Sequence, residues 1–277
     1  MYEGMLLELT YYTLFLIMAT GLFSIIESIR PAYKMEFNRK ELVNDFLYTY
    51  LNTVLAPIIT FIAIDYFNDT VLTNSPIPQL DTYVSNLPFL IQLIIVLVVM
   101  DLAIYVRHRL MHEYLWPFHS IHHSLEQINW VAKFRLHPLE SVIGMMFSVF
   151  FAYILGLEGQ VVAAAAVVIF FFDIFNHANI NINFPKPICY ILSCPNYHKW
   201  HHAKEVEAIN KNYVVMFPFI DKLFGTYYFP LERLPYQCGI FYEKIDGKKY
   251  EMPQNFLLQL IYPFIYCYKK LKQFRVS

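Results

Sequence analysis

Five apolar runs set the frame of this chain. Residues 9–26 and 46–64 carry no charged side chain, 87–106 is broken only by Asp101, and 141–157 and 161–172 follow as a pair separated by Glu158, Gly159 and Gln160. A helix rises ~1.5 Å per residue, so the first three runs, of 18, 19 and 20 residues, match a bilayer core ~30 Å thick. The last two are short, and two full spans compete there with a hairpin that dips into the bilayer. Any single run also fits a buried core helix, but five exceed what a soluble chain of 277 residues normally hides. After Asn183 the pattern changes. Pro185, Pro187, Pro195, Pro218, Pro230, Pro235 and Pro253 punctuate a region rich in Lys and Tyr that cannot be one long helix, and it reads as a cap. Residues 255–268 are apolar but too short to span, and Pro263 interrupts them. They read either as a segment lying in the membrane interface, held by Tyr and by Lys269, Lys270 and Lys272, or as a helix packed on the cap.

The expected fold class is an all-α integral membrane protein with four to five transmembrane helices and a cytosolic helical cap. The whole chain, 1–277, reads as one domain: a stem over 5–106, a region 107–254 that includes a membrane hairpin at 141–176, and the terminal segment 255–268.

Basic residues order the runs in space. Arg30, Lys34, Arg39 and Lys40 follow the first run, Arg107, Arg109, Lys133 and Arg135 follow the third, and thirteen lie in 177–277, which accounts for all 21 in the chain. Residues 65–86 and the turn at Glu158 have none. By the positive-inside rule the basic side is cytoplasmic, and five crossings alternate with the N-terminus outside. The expected location is a bacterial inner membrane or the endoplasmic reticulum, with the catalytic face in the cytoplasm. The first run lacks a cationic leader and a cleavage pattern, so it is expected to remain as a span.

Composition agrees and excludes other classes. The chain is 57% hydrophobic and 16% charged with a net charge of −1, so no nucleic-acid partner is expected. Cys189, Cys194, Cys238 and Cys267 all fall on the cytoplasmic side without a C-x-x-C pair, and are expected as reduced thiols that serve packing. Asn68-Asp69-Thr70 forms a short sequon on the expected outer side.

The chemistry lies in the histidines. All ten fall between His108 and His202, as His108-x3-His112, His119-x2-His122-His123, His137, His177, and His198-x2-His201-His202. Residues three and four apart share a helix face, so each cluster can aim imidazoles at one point. Imidazole suits iron, copper, zinc and nickel rather than magnesium or calcium. A structural zinc site closes with about four ligands and usually uses Cys, so ten histidines are too many for one. Two ions of about six positions each would leave roughly two places for oxygen, water or a bridge, and open positions mean catalysis. Copper and zinc stay open by spacing alone. Asp101, seven before His108, Asp173, four before His177, and Glu140, three after His137, are candidates to accept an imidazole N–H and fix its tautomer; Asp101 and Asp173 also fit the wet ends of spans. His112-Glu113 is no zinc-protease motif, because Trp116 stands where H-E-x-x-H needs its second His.

The segments H-R-L-M-H, F-H-S-I-H-H-S, R-L-H-P-L-E, F-N-H-A-N and N-Y-H-K-W-H-H, followed by F-I-D-K-L-F-G-T-Y, occur in unbroken order over about 101–230. In them the chain resembles the fatty acid hydroxylase superfamily, which includes sterol desaturases, sterol C4-methyl oxidases, sphingolipid and fatty acid hydroxylases and alkylglycerol monooxygenase. The resemblance implies an O2-dependent membrane oxidoreductase with two iron ions, acting on a lipid such as a sterol, fatty acyl, sphingolipid or ether lipid. His108, His112, His119, His122, His123, His198, His201 and His202 match the catalytic histidine boxes, and His137 and His177 match less uniform single histidines that complete the metal set. Before Asp101 the chain matches only in being transmembrane.

Hydroxylation is the expected reaction, with desaturation open because both begin by abstracting the same hydrogen. Phe170, Phe171, Phe172 and Trp200 can line a lipid channel or simply pack. The chain has no G-x-G for a flavin or nicotinamide and no H-P-G-G haem signature. Electrons are therefore expected from an external reductase, cytochrome or ferredoxin. A histidine-rich membrane metal transporter, or a metal-binding protein without redox catalysis, is the alternative. It would place His and Asp in mid-span, whereas these histidines sit at or beyond the span ends. A haem protein would need only one or two axial pairs.

Overall fold

The computed structural model describes residues 18, 19, 21–36, 38–67, 84–155, 159–241, 243–245 and 248–274. Most of the first apolar run, the sequon, the loop over 68–83 and Glu158 lie outside the described residues. Ten helices carry the rest: α1 (21–29), α2 (Arg39–Tyr50), α3 (Ala56–Phe67), α4 (Phe89–Glu113), α5 (Trp116–His123), α6 (Pro138–Leu155), α7 (Gly159–His177), α8 (Pro195–His201), α9 (Pro218–Leu223) and α10 (Phe256–Phe274). The all-helical expectation needs one correction. Glu243–Ile245 and Lys248–Tyr250 pair as a short antiparallel hairpin, with Glu243 opposite Tyr250, in a stretch too brief for a period-2 pattern to show.

The second apolar run is continuous helix, but it is not uniform. Asn38 caps α2 by accepting from the Lys40 and Glu41 amides, and Leu51–Leu55 between α2 and α3 is a π-helical turn. Inside that wider turn Asn52 is buried and donates to the carbonyls of Phe134 and Leu136, both at 2.8 Å. Three threonine hydroxyls in the run are satisfied locally: Thr49, Thr53 and Thr60 each donate to the carbonyl four residues back at 2.7–2.8 Å.

Two described helices are long and apolar enough to cross a membrane, α4 and α7; the described part of α6, Pro138–Ala152, is apolar but shorter. Only 33% of the apolar window of α4 and 22% of that of α7 is buried, so neither behaves as the core helix of a soluble protein. Leu90, Ile94, Leu102, Val106 and Val167 stand exposed on them, a surface that water would disfavour at ~25 cal/mol per Å². Their inward faces pack together: Val96, Leu97 and Met100 of α4 meet Val161 and Ala165 of α7 and Val215 and Met216 of a later loop.

In the cap, prolines start helices rather than breaking them. Pro195 and Pro218 open α8 and α9, where a missing N–H costs nothing. Pro263, by contrast, sits inside α10. The packing-helix reading of that segment is met in part. The α10 helix packs on α5 through Phe264, 5.5 Å from Phe118 and 5.9 Å from the His137 ring, and leaves Leu257, Leu258, Ile261, Ile265, Tyr268 and Leu271 uncovered. All four cysteines are free; Cys189, Cys194 and Cys238 are buried.

Candidate metal centre

Four elements bring nine of the ten histidines together in two groups. His108, His112, His119, His123 and His201 form one, and His122, His177, His198 and His202 the other, with the ligand atoms of each group within 4.8 Å of one another. The grouping cuts across the sequence clusters. Pairs four apart stay together, as His108 with His112, His119 with His123, and His198 with His202. Their immediate neighbours His122 and His201 are turned by ~100° on the helix and serve the opposite group. Helices α5 and α8 therefore each supply both groups, and the His123 and His202 rings stack at 4.3 Å across the boundary.

Ring nitrogens reveal what the groups are for. His108 Nδ1 donates to the Tyr213 carbonyl at 2.7 Å and His119 Nδ1 to Glu140 Oε1 at 2.6 Å, so in the neutral rings both Nε2 atoms carry lone pairs. Those two Nε2 atoms face each other at 3.0 Å. The same apposition recurs at 3.1 Å for His119 with His123, for His122 with His177 and for His177 with His198, and at 3.2 Å for His198 with His202. The His112 and His201 Nε2 atoms are buried with no partner. In the His108–His119 pair, where both Nδ1 atoms are donors, the facing lone pairs repel unless a cation lies between them. Neutral imidazole nitrogens gathered this closely fit a transition metal.

Burial disfavours the charged form of several of these rings. It pushes His122, His123, His198 and His202 well below the usual histidine range, with neighbouring imidazoles adding to the effect, and it brings His201 down to about 3. Neutral imidazole is the form that ligates.

The tenth histidine does something else. His137 precedes α6; its Nδ1 accepts from the Leu139 amide at 3.2 Å and its Nε2 donates to the Leu260 carbonyl at 3.1 Å, which leaves no lone pair for a metal. Glu140 accordingly serves His119 rather than His137. Asp173 meets the expectation in part: His177 Nδ1 donates to its backbone carbonyl at 2.7 Å, with the carboxylate at 3.3 Å and paired to Lys133. Asp101 does not touch His108. Its carboxylate accepts from the amides of Val215, Met216 and Phe217 at 2.7–3.2 Å.

Several contributors were not read from the sequence. The Lys211 carbonyl accepts from His201 Nδ1 at 2.7 Å, and Asn210 Oδ1 stands 3.3 Å from His112 Nδ1. Asn210 and Asn212 take positive φ of 57° and 61°, a conformation Asn tolerates. Asp221, present in the F-I-D-K-L-F-G-T-Y segment without a role, accepts from the Tyr213 and Val214 amides, the Tyr197 hydroxyl and Thr226. Lys199 is fully buried, donates to the Ala178 and Ile180 carbonyls, and is pushed down to about 8 by burial. It pins the segment after His177 to α8. Trp200 is buried against Ala203 and Ala208, so its role is packing.

Helices that carry two interleaved histidine sets define a helical protein with a metal-binding site. Residues 93–226, which contain every histidine, match the fatty acid hydroxylase family. The chain is 30% identical over 179 residues to the ornithine lipid hydroxylase OlsE of Rhizobium tropici, covering 64% of this chain and 51% of that protein. It is 29% identical over 138 residues to human alkylglycerol monooxygenase, covering 49% of this chain and 30% of that enzyme. The chain thus spans about half or less of the length of these relatives. No solved structure matches.

Proposed function

We propose that this protein is an O2-dependent membrane oxidoreductase that holds two iron ions in the two histidine groups and hydroxylates a lipid. The convergence of Nε2 atoms at 3.0–3.2 Å, with both lone pairs turned inward in the His108–His119 pair, carries the reading. Nine imidazoles around two ions of about six positions each leave roughly three positions open, which favours catalysis over storage. The related ornithine lipid hydroxylase and alkylglycerol monooxygenase support an oxidative enzyme with a lipid substrate. When bound, the metals would supply O2 activation and hydrogen abstraction from an unactivated C–H bond. One oxygen enters the product and the other leaves as water, with two electrons and two protons from an external reductase, cytochrome or ferredoxin.

The chain's own residues do the positioning. Glu140, Tyr213, Lys211 and Asp173 fix the rings they touch with Nδ1 as donor and Nε2 turned inward. Trp116 packs 5.2 Å from His112 and 5.4 Å from His123, closing the edge of the first group to water. The uncovered apolar faces of α4 and α7 support a membrane location with the histidine groups at the cytoplasmic ends, from which a lipid can enter sideways.

The test is reconstitution with iron, a reductase system, a lipid extract and labelled O2. A lipid heavier by one labelled oxygen is expected, or one lighter by two hydrogens if the reaction is desaturation. Label from water alone would point instead to metal-assisted hydrolysis or hydration.

A further inference from the structure

Two carboxylates stand behind the rings of the centre, one for each histidine group, and they are not equivalent. In the first group Glu140 Oε1 accepts from His119 Nδ1 at 2.6 Å; the residue is buried, its Oε2 has no hydrogen-bond partner, and among the described residues no Lys or Arg pairs with it. In the second group Asp173 stands 3.3 Å from His177 Nδ1 and is paired with Lys133. His177 is the hub of that group, since its Nε2 lies 3.1 Å from those of both His122 and His198. One carboxylate therefore keeps its full negative charge beside a ligand ring, and the other is offset by a cation.

The chain around Lys133 holds it in place. The short helical turn Trp130–Phe134 packs on α7. At its start Glu27 accepts from the amides of Trp130 and Asn179, both at 2.8 Å, which ties the turn to the backbone two residues after His177. At its end Asn52 donates to the Phe134 carbonyl at 2.8 Å. From this turn Lys133 reaches Asp173 with its Nζ 4.7 Å from the Phe170 ring centroid, a contact that favours the charged amine. His177 does not need the lysine for its orientation, because its Nδ1 donates to the Asp173 backbone carbonyl at 2.7 Å. What Lys133 adds at the ring is charge. A carboxylate raises the basicity of the imidazole it faces, which favours the more highly charged state of a bound metal; a cation paired to that carboxylate takes the effect back.

Given two irons held by the nine histidines, the reading on which this rests, we propose that Lys133 is a positioning residue that acts through Asp173 on His177 and makes the two irons unequal. Iron in the His122, His177, His198 and His202 group is the easier of the two to reduce. Each reduction, ferric to ferrous, adds one electron from the external reductase, cytochrome or ferredoxin and breaks no bond in the protein.

The test is a redox titration of the full-length, detergent-solubilised protein loaded with Mössbauer-active iron, with ferrous iron counted at each poised potential and metal content measured alongside. The wild type should take up its electrons in two resolved one-electron steps. Lys133→Met should lower the ferrous-to-ferric ratio of the first-reduced iron by about tenfold at fixed potential, ~59 mV for one electron, with both metals retained. Lys133→Arg, which keeps the charge, should restore wild-type behaviour. Asp173→Asn should shift the same iron by a similar factor in the opposite direction, and the double variant should return it to within about threefold of wild type, whereas structural losses would add. If Lys133→Met does not fold, the Asp173→Asn shift decides, and its absence would overturn the assignment. Two retained irons whose potentials neither substitution moves, or both move in one direction, would also overturn the role of Lys133 and leave the two-iron centre standing. Fewer than two metals in the wild type would overturn both.

Discussion

Glu140 and His137 stand three residues apart and do unrelated jobs. On a continuous helix they would share a face, which is why the sequence pairs them. Because α6 begins at Pro138, His137 lies just before the helix and caps it, while Glu140 in the first turn meets His119. Glu140→Ala should weaken metal binding by about 10–100-fold, since a ligand ring loses the carboxylate that orients it. His137→Ala should retain both metals and cost about 1 kcal/mol of stability, the usual loss for a helix cap. Metal titration and thermal unfolding of the two variants check this. A His137 variant that loses metal with stability intact would restore it as a ligand. Side chains with metal-ligand spacing were therefore legible, as was Asp173 beside His177, whereas the other partners were not: the carbonyls of Tyr213 and Lys211 are chosen by the path of a loop, and any residue has a carbonyl.

That loop is the element on which the centre hangs. Asp101 and Asp221 grip the amides of Tyr213 through Phe217 from two sides, and the loop in turn presents the Tyr213 and Lys211 carbonyls to His108 and His201. Helical periodicity correctly places Asp101 on the inward face of α4, but the nearest unmet donors there are backbone amides, so the carboxylate goes to them. Asp101→Ala should orphan three buried N–H groups at ~1–3 kcal/mol each. The expected outcome is a loss of about 3 kcal/mol or more in unfolding of the solubilised protein, with metal content falling in parallel. Wild-type stability in that variant would show that the loop is held by other contacts. Apolar runs foretold α4 and α7 well, since a long uncharged stretch has few other solutions. The π turn around Asn52 and the 243–250 hairpin went unseen, because each depends on a tertiary partner or on too few residues to leave a period.

The exposed apolar helices α4 and α7 both lead, at their C-terminal ends, into the histidine groups. All 21 basic residues fall on one side of the expected topology, so a cysteine introduced at Ser75 should react only with an external reagent and one at Lys248 only after the cytoplasmic face is opened. Labelling of both from one side would break that topology. The interleaving of the histidines makes a sharper demand, because it assigns neighbours in the chain to different metals.

The most direct measurement is therefore metal content per chain, taken on iron-replete wild-type protein and on His201→Ala and His202→Ala, which alter adjacent residues. Two metals are expected in the wild type, with each variant retaining about one and losing a different one, so that the two remaining sites give distinct spectra. A single metal per chain, or two metals left undisturbed by both substitutions, would contradict a centre built from two histidine groups.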